Sequence, residues 1–424
     1  MIGTAAVVLI IIVVILFFNL RQHSNSQQAL NISVWGTDSP KAWNDLINNY
    51  TGPGSGTSMV IKYTQIDPSN YQNTILSALA AGNGPDIFEI GNRDLPQWSN
   101  FITPVPTALA TTFSTVTLQN DFPTVVGQDF GFGGYVYALP LSVDTLAMIY
   151  NKDLLDSAGI TSPPKTWSDF ESDIPALKKT NSQGQITQAA AAIGGTESSI
   201  ANAPDLVFLL MLQNDTQMVS SDYTSVRFAS DDTSDSSPGM NAFNFYLQFA
   251  NAASPNYTWN DTLGNTIDAF SQGKTAIIFD YASSLANIKA RAPFLNIGIA
   301  PMPQPANATV VVNYPKYSGL VVNKYSASYL SAWTFIINLT TSAANEKIYT
   351  TDTGTPPALR SSIQADLTDP TMSVFASQAL TARSWYEKNS ERMDGIMNSA
   401  IGNVLNGSAN STAALTEAQA AANN

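Results

Sequence analysis

Short apolar runs alternate with amphipathic segments along much of the chain, and this rhythm predicts an α/β fold. The early apolar runs are rich in β-branched residues or alternate polar with apolar positions, as strands do. Three of them come first: residues 31–36 (NISVWG), 59–66 (MVIKYTQI) and 85–90 (PDIFEI). Because helical segments separate them, we expect parallel sheets with helices on both faces.

The segments between these strands carry helix start and stop signals. Residues 39–51 begin with Ser39 as a candidate N-cap and Pro40 in the first turn. Residues 70–82 end at Gly82, a residue suited to the left-handed conformation that often follows a helix. The same alternation resumes after Gly134, and the chain becomes largely helical from Ser331 onward.

The N-terminus differs from the rest because residues 2–18 form an apolar run without any charge. Its length lies at the short end of the roughly 17–25 residues that span a bilayer, and exceeds the roughly 7–15 of a signal-peptide core. We therefore expect an uncleaved membrane anchor over residues 1–20 and a polar linker over 21–30. A cleaved signal sequence is the alternative. The body is expected to be extracytoplasmic.

Composition excludes several function classes. The 424 residues suffice for two or three domains, and 32 Asp+Glu against 19 Lys+Arg give a net charge of −13, which argues against nucleic-acid binding. With no Cys and His23 as the sole His, Cys/His zinc sites, a Cys nucleophile and a Ser-His-Asp triad in the globular part are excluded. We expect no cofactor and no metal.

Two further patterns are interpreted as loops. Residues 131–135 (GFGGY) lack the Lys-Ser/Thr of a phosphate-binding loop and predict a turn. The acidic residues within 225–239 lack the spacing of an EF-hand. Pairs of carboxylates could serve glycoside hydrolysis, and the candidates are Asp38, Asp144, Glu197 and Asp280.

A family resemblance rests on residues 135–170, YVYALPLSVDTLAMIYNKDLLDSAGITSPPKTWSDF. The pattern G-x-x-Y-x-x-P, followed by YNKDLL, AGI and PPKTW, resembles the extracellular solute-binding protein family 1 of ABC transporters, the maltose-binding-like group. Residues 78–90, 268–280, 297–305 and 318–341 also fit. The resemblance implies a two-lobed periplasmic-binding-protein-like fold (type II) with a ligand cleft between the lobes.

The same resemblance implies where the lobes begin and end. Lobe one would comprise residues 31–141 and 319–352, and lobe two residues 142–318 and 353–424. The crossings between them would lie near residues 141–142, 318–319 and 352–356, where small residues and prolines could act as hinges.

Site residues carried over from the family are acids, amides and aromatic rings at element ends. Rings stack on the apolar face of a sugar, while acids accept hydrogen bonds from its hydroxyls. Asp144 follows the first crossing, and Trp385 matches a helical aromatic residue of maltose-type members. The full set is Trp35, Asn92, Arg93, Asp144, Asp280, Tyr281, Tyr317 and Trp385. We expect Asp144→Ala to weaken ligand binding with little change in apo stability.

The resulting functional hypothesis is a solute receptor without catalytic activity. It would be a monomer, tethered to the membrane by its N-terminal helix, that captures an oligosaccharide-like ligand by cleft closure and delivers it to the permease subunits of an ABC importer. The alternatives are a peptide or other polar or charged solute as ligand, a glycan-acting enzyme, and a surface scaffold.

Overall fold

The computed structural model describes residues 30–53, 59–229 and 237–424. The predicted anchor over residues 1–20 and nearly all of the predicted linker lie outside the described residues. Within the three described ranges, every helix is too short or too polar to cross a lipid bilayer.

Two α/β lobes are each built on one sheet. The first sheet has the strand order β2-β1-β3-β15-β4, with β7 also pairing with β15. The second has the order β10-β11-β12-β9-β13. The strands of these sheets are β1 (Leu30–Gly36), β2 (Met59–Gln65), β3 (Ile87–Gly91), β4 (Ile102–Thr103), β7 (Leu139–Pro140), β9 (Ala147–Asn151), β10 (Lys179–Thr180), β11 (Ile186–Ala191), β12 (Thr275–Asp280), β13 (Ile297–Ala300) and β15 (Ser318–Asn323).

Two pairs of short strands lie outside the main sheets. They are β5 (Gly131–Phe132) with β6 (Tyr135–Val136), and β8 (Asp144–Thr145) with β14 (Pro315–Lys316). Gly133 and Gly134, with φ of +59° and +83°, form the turn between β5 and β6. Positive φ at both central residues is what a two-residue hairpin turn requires, so the turn predicted at residues 131–135 is confirmed.

Helices pack against the strands of both sheets. In chain order they are α1 (Pro40–Asn49), α2 (Tyr71–Ala80), α3 (Leu95–Trp98), α4 (Thr115–Asp121), α5 (Thr124–Phe130), α6 (Lys152–Ser157), α7 (Trp167–Leu177), α8 (Ala203–Gln213), α9 (Pro238–Leu247), α10 (Thr266–Ser271), α11 (Leu285–Arg291), α12 (Tyr329–Thr340), α13 (Ala343–Thr353), α14 (Arg360–Asp366), α15 (Ser373–Ala379), α16 (Ser390–Leu405) and α17 (Ser411–Asn423). Short 3-10 turns occur at Pro68–Asn70, Thr107–Leu109, Asp261–Leu263 and Ala282–Ser284.

The helix start predicted at Ser39 and the helix stop predicted at Gly82 are confirmed, but the prediction of parallel sheets was wrong. Ser39 caps α1 by accepting a hydrogen bond from the Ala42 amide at 3.4 Å, and Gly82 adopts φ +72° after α2. Both sheets are mixed rather than parallel: β15 runs antiparallel to β3, and β9 antiparallel to β12. Each of these strands directly follows a crossing from the other lobe, so it enters its sheet against the local direction.

Each lobe has its own hydrophobic core, and the chain passes from one core to the other at several points. Core membership changes between Val143 and Leu146, and again between Tyr314 and Tyr317. These two crossings pair as the antiparallel ribbon of β8 and β14, with Thr145 opposite Pro315. The two crossing segments are therefore hydrogen-bonded to each other where they connect the lobes.

Between α14 and α16 the two cores interleave: Phe375 packs in the second core, Ala382 in the first, and Trp385 in the second again. The crossing expected near residues 352–356 stays a prediction. Ala358 and Leu359 still pack in the first core, because Glu346 of α13 accepts hydrogen bonds from both of their amides, at 2.6 and 2.7 Å. This buried carboxylate attaches the start of α14 to lobe one.

Candidate functional site

A cleft of about 840 Å³ opens between the two lobes. Lobe one contributes the residues that follow β1 and β3, and lobe two contributes a loop, the turn after β12 and the start of α16. The lining residues are Thr37, Gly91, Asn92, Arg93, Asp94, Glu197, Ser283, Lys316, Tyr317, Ser318, Ser390, Glu391, Asp394 and Gly395. The carboxyl ends of the parallel strands β1 and β3 therefore meet at this cleft, as ligand sites in open α/β sheets do.

Asn92 and Tyr317 join the floor of the cleft to the second crossing. The Asn92 amide donates to the Tyr317 carbonyl at 2.9 Å, and Asn92 Nδ2 donates to Asp129 Oδ2 at 3.2 Å. Tyr317 Oη donates to the same Asp129 oxygen at 2.6 Å, while Ser384 Oγ donates to the other. Burial raises the pKa of Asp129 to about 6, although the hydrogen bonds from Ser384, Tyr317 and Asn92 lower it.

Arg93 lines the cleft with a side chain that is only 7% exposed. Its Nη1 donates to Glu387 Oε1 at 3.0 Å and to Asp394 Oδ1 at 2.9 Å, and its Nη2 donates to Asp394 Oδ2 at 2.8 Å. Asp205 Oδ1 lies 3.6 Å from Nη2. Burial would lower the pKa of Arg93, but these carboxylates, Glu387 foremost, hold it well above its usual range. The guanidinium is thus paired within the protein.

Lys316 and Tyr281 continue this network at the second crossing. Tyr281 Oη donates to Asp205 Oδ2 at 2.9 Å. Lys316 Nζ lies 3.5 Å from the same oxygen and 5.4 Å from the centre of the Tyr281 ring. Because its side chain is 55% exposed, Lys316 presents a positive charge to the cleft, whereas Tyr281 is buried beneath it.

Asp144 is buried, with its carboxylate directed at the turn that follows β12. Its Oδ1 accepts from the Thr145 amide at 2.9 Å and the Ala282 amide at 3.0 Å, and its Oδ2 accepts from the Ser283 amide at 3.0 Å. Burial raises the pKa of Asp144 to about 7, although these three hydrogen bonds lower it. The carboxylate thereby fixes the crossing strand β8 to the cleft-lining Ser283.

The three remaining predicted residues lie away from the lining. Asp280 Oδ1 accepts from Asn202 Nδ2 and from the Tyr281 amide, both at 2.8 Å. Trp35 is half-buried on β1 and packs against the core of lobe one. Trp385 is buried in the core of lobe two, 5.3 Å from the Phe208 ring centre.

Trp385 also departs from its expected setting, because it lies between α15 and α16 rather than in a helix. Of the eight predicted residues, the cleft lining includes Asn92, Arg93 and Tyr317, while Asp144 and Tyr281 contact lining residues. The assignment of the eight as ligand contacts stays a prediction.

Several lining residues were missing from the predicted set. Glu391 and Asp394 lie three positions apart at the start of α16, a spacing that places both on one helix face. Glu197 lies in the loop between β11 and α8 and was considered only as one of a possible catalytic pair. Partial burial, and then the negative charge of Asp394, raise the pKa of Glu197.

The side chains of the lining offer mainly hydrogen-bonding groups. Carboxylates, hydroxyls and Lys316 dominate it, with Tyr317 as its aromatic member. In the part of the chain that the structure describes, no group of three or more His, Cys, Asp or Glu side chains is arranged to hold a metal ion.

Comparisons with known proteins extend this picture. Residues 33–374 match the family model described as bacterial extracellular solute-binding protein. The diacetylchitobiose binding protein DasA of Streptomyces coelicolor is 29% identical over 164 residues, a stretch that covers 36% of this chain and 35% of that protein.

Solved structures resemble the whole described fold. The sugar-binding protein MalE of Xanthomonas citri superposes with a TM-score of 0.77 at 21% identity, covering 93% of this chain and 96% of that one. The cyclic alpha-maltosyl-1,6-maltose binding protein of Arthrobacter globiformis gives 0.75 at 16% identity, covering 93% and 98%. At these identities the likeness shows the fold, which is the two-lobed arrangement expected from the sequence.

Proposed function

Because the chain belongs to the family of bacterial extracellular solute-binding proteins, we propose that it captures a carbohydrate in the cleft between its lobes. The bound form would then deliver the sugar to the permease of an ABC importer. No bond is made or broken in this function, and the protein acts as a monomer. Relatives named for binding diacetylchitobiose and cyclic alpha-maltosyl-1,6-maltose support the ligand class.

The observation that carries the proposal is the composition of the cleft. Both lobes supply hydrogen-bonding groups to one space of about 840 Å³: Thr37 and Asp94 from lobe one, and Glu197 and Ser283 from lobe two. A ligand that contacts both walls favours the closed arrangement by its higher affinity for it. Carboxylates and hydroxyls suit the many hydroxyl groups of a sugar.

A panel of maltotriose, mannobiose and diacetylchitobiose tests this function by calorimetry and thermal unfolding of residues 30–424. A ligand present at 100 times its Kd should stabilise the protein by about 2.7 kcal/mol. Absence of binding across a broad sugar panel would contradict the proposal. Chromatography of the incubated sugars checks catalysis, since cleavage products would identify a glycan-acting enzyme instead.

A cationic solute is the second candidate, and the charge of the lining favours it. Asp94, Glu197 and Glu391 have no ion-pair partner among the described residues, whereas Arg93 is paired internally. Uncompensated carboxylates attract positive ligands. Titration with a lysine- and arginine-containing peptide separates the candidates, because tighter binding of the peptide than of any sugar would favour this one.

The charge-free run of residues 2–18 supports a membrane tether, with the body extracytoplasmic. If so, the full chain should sediment with membranes and resist extraction by high salt, whereas residues 30–424 should stay in the supernatant. Release of the full chain by salt alone would argue against an inserted helix.

A further inference from the structure

One side chain of lobe one is buried in the surface of lobe two. Arg93 follows β3, and the β3 residues Phe88 and Ile90 belong to the core of lobe one. Its guanidinium carbon lies 6.0 Å from the ring centre of Phe208 and 5.9 Å from that of Tyr314, both of which belong to the core of lobe two. Planar guanidinium groups pack well on aromatic rings.

All three carboxylates that pair with Arg93 are held by the other lobe. Asp205 lies on α8, a helix buried in the core of lobe two, and Asp394 lies on α16 beside the core residue Met393. Glu387, with a fully buried side chain, lies two positions after Trp385 of the core of lobe two. Buried charges are stable only while their partners remain in place. Separating the lobes here would leave Glu387 and Asp394 without the cation they bind, while Asp205 would keep its ion pair with Lys316.

Two further hydrogen bonds join the lobes beside Arg93. Together with the ion pairs of Arg93 they form the seam between the lobes. The Ser390 amide donates to Asp94 Oδ1 at 3.2 Å, and Asn389 Nδ2 donates to Gln97 Oε1 at 2.9 Å. These bonds connect the segment after β3 to the start of α16. Arg93 is the charged centre of the seam, through its bonds to Glu387 and Asp394.

We propose that Arg93 is an internal latch, a positioning residue that holds the two lobes together before any ligand enters the cleft. The latch determines the fraction of ligand-free molecules whose two cleft walls already have the arrangement needed to bind the ligand. Arg93 would then act on ligand affinity through lobe geometry rather than through contact with the ligand. This consequence for affinity rests on the proposed function, whereas the latch itself can be measured without ligand.

The absence of native Cys allows the lobe separation to be measured with two spin labels. Asn70→Cys and Ala286→Cys place the labels on exposed positions of lobe one and lobe two, in the 3-10 turn after β2 and in α11 respectively. Pulsed electron paramagnetic resonance then gives the distance distribution of residues 30–424 without ligand. We expect a narrow distribution for the labelled protein.

Arg93→Met keeps the aliphatic length and removes the charge, and we expect it to add a population at longer distance. Glu387→Gln keeps the shape of the partner and should give a smaller shift in the same direction. Arg291→Met is the matched control, because Arg291 pairs with Asp268 within lobe two at a half-exposed position. We expect this control to leave the distribution unchanged.

Superimposable distributions for the labelled protein and Glu387→Gln would overturn the latch, even if Arg93→Met failed to fold. An equal shift in Arg291→Met would overturn it as well. With maltotriose as the probe, a fall of the latched fraction to about one tenth should weaken binding about tenfold, since apparent affinity scales with the competent fraction. Failure of maltotriose to bind any variant would count against the proposed ligand class and leave the distance result intact.

Discussion

Two carboxylates of lobe two, Asp144 and Glu197, lie near the same cleft in opposite physical situations. Asp144 is 4% exposed and accepts three backbone hydrogen bonds. Glu197 is exposed and lines the cleft, and its carboxylate has no hydrogen-bond or ion-pair partner among the described residues. The Asp144 carboxylate is occupied by hydrogen bonds within the protein, whereas the Glu197 carboxylate is available to bind a ligand.

The difference follows from what surrounds each acid. Asp144 lies in β8 beside the turn that follows β12, where the amides of Ala282 and Ser283 point at it. Unpaired amides at a buried turn are costly, and a carboxylate that accepts from them stabilises both strand and turn. Glu197 lies in a loop on which no such donor converges.

The largest expected effect tests the structural side of this comparison. Asp144→Ala removes the acceptor of three buried amides and should lower the free energy of unfolding by about 2–4 kcal/mol. This reverses the expectation from sequence that apo stability would hardly change. Urea unfolding at pH 6 measures it, with Glu197→Ala as the control, expected within about 0.5 kcal/mol of the unsubstituted protein. Equal stability of the two variants would contradict the comparison.

Titration of Asp144 should produce the next largest effect. Because its folded-state pKa is raised to about 7 from an ordinary value of 3.8, the folded protein binds the proton more tightly than the unfolded chain. The stabilisation is complete at low pH and is lost as the pH rises through about 7. Between pH 5 and 8 the unfolding free energy should therefore fall, on the order of 1–3 kcal/mol from Asp144.

Asp144→Asn isolates the contribution of Asp144 to the pH dependence of the unfolding free energy, because an asparagine side chain does not titrate. Glu89, whose burial and proximity to Asp38 raise its pKa to about 8, adds a slope of the same sign. The comparison is therefore between the pH profiles of the variant and the unsubstituted protein. A flatter profile for Asp144→Asn is expected, and coincident profiles would show that Asp144 does not titrate in this range.

The same two acids show how far sequence reasoning reaches. Alternation of strands and helices predicted the α/β class, and the motif in residues 135–170 predicted two lobes with a cleft. Local signals such as the Ser39 cap and the Gly133–Gly134 turn were predictable because they depend on a few adjacent residues. Strand direction was not, because it depends on where the chain crosses between lobes.

Site residues were harder to predict, because a position in a motif does not reveal which donors converge on a side chain. The partners of Asp144 and Arg93 lie far away along the chain: Ala282 is 138 positions from Asp144, and Asp394 is 301 positions from Arg93. Glu197 lies in a loop without strand or helix periodicity, and only the folded loop brings it to the lining.

The smallest expected effect tests the ligand-facing side of the comparison. Glu197→Gln keeps the size of the side chain and one acceptor but removes the charge. A hydrogen bond to a charged group contributes more than one to a neutral group, so sugar binding should weaken by about 1 kcal/mol, or roughly fivefold, with the unfolding free energy unchanged. Calorimetry with whichever sugar of the panel binds measures the affinity. Asp268→Asn, at a half-exposed acid of α10 outside the cleft lining, is the control. If both variants bind alike, Glu197 does not contact the ligand, and the free carboxylate of the pair has no role in capture.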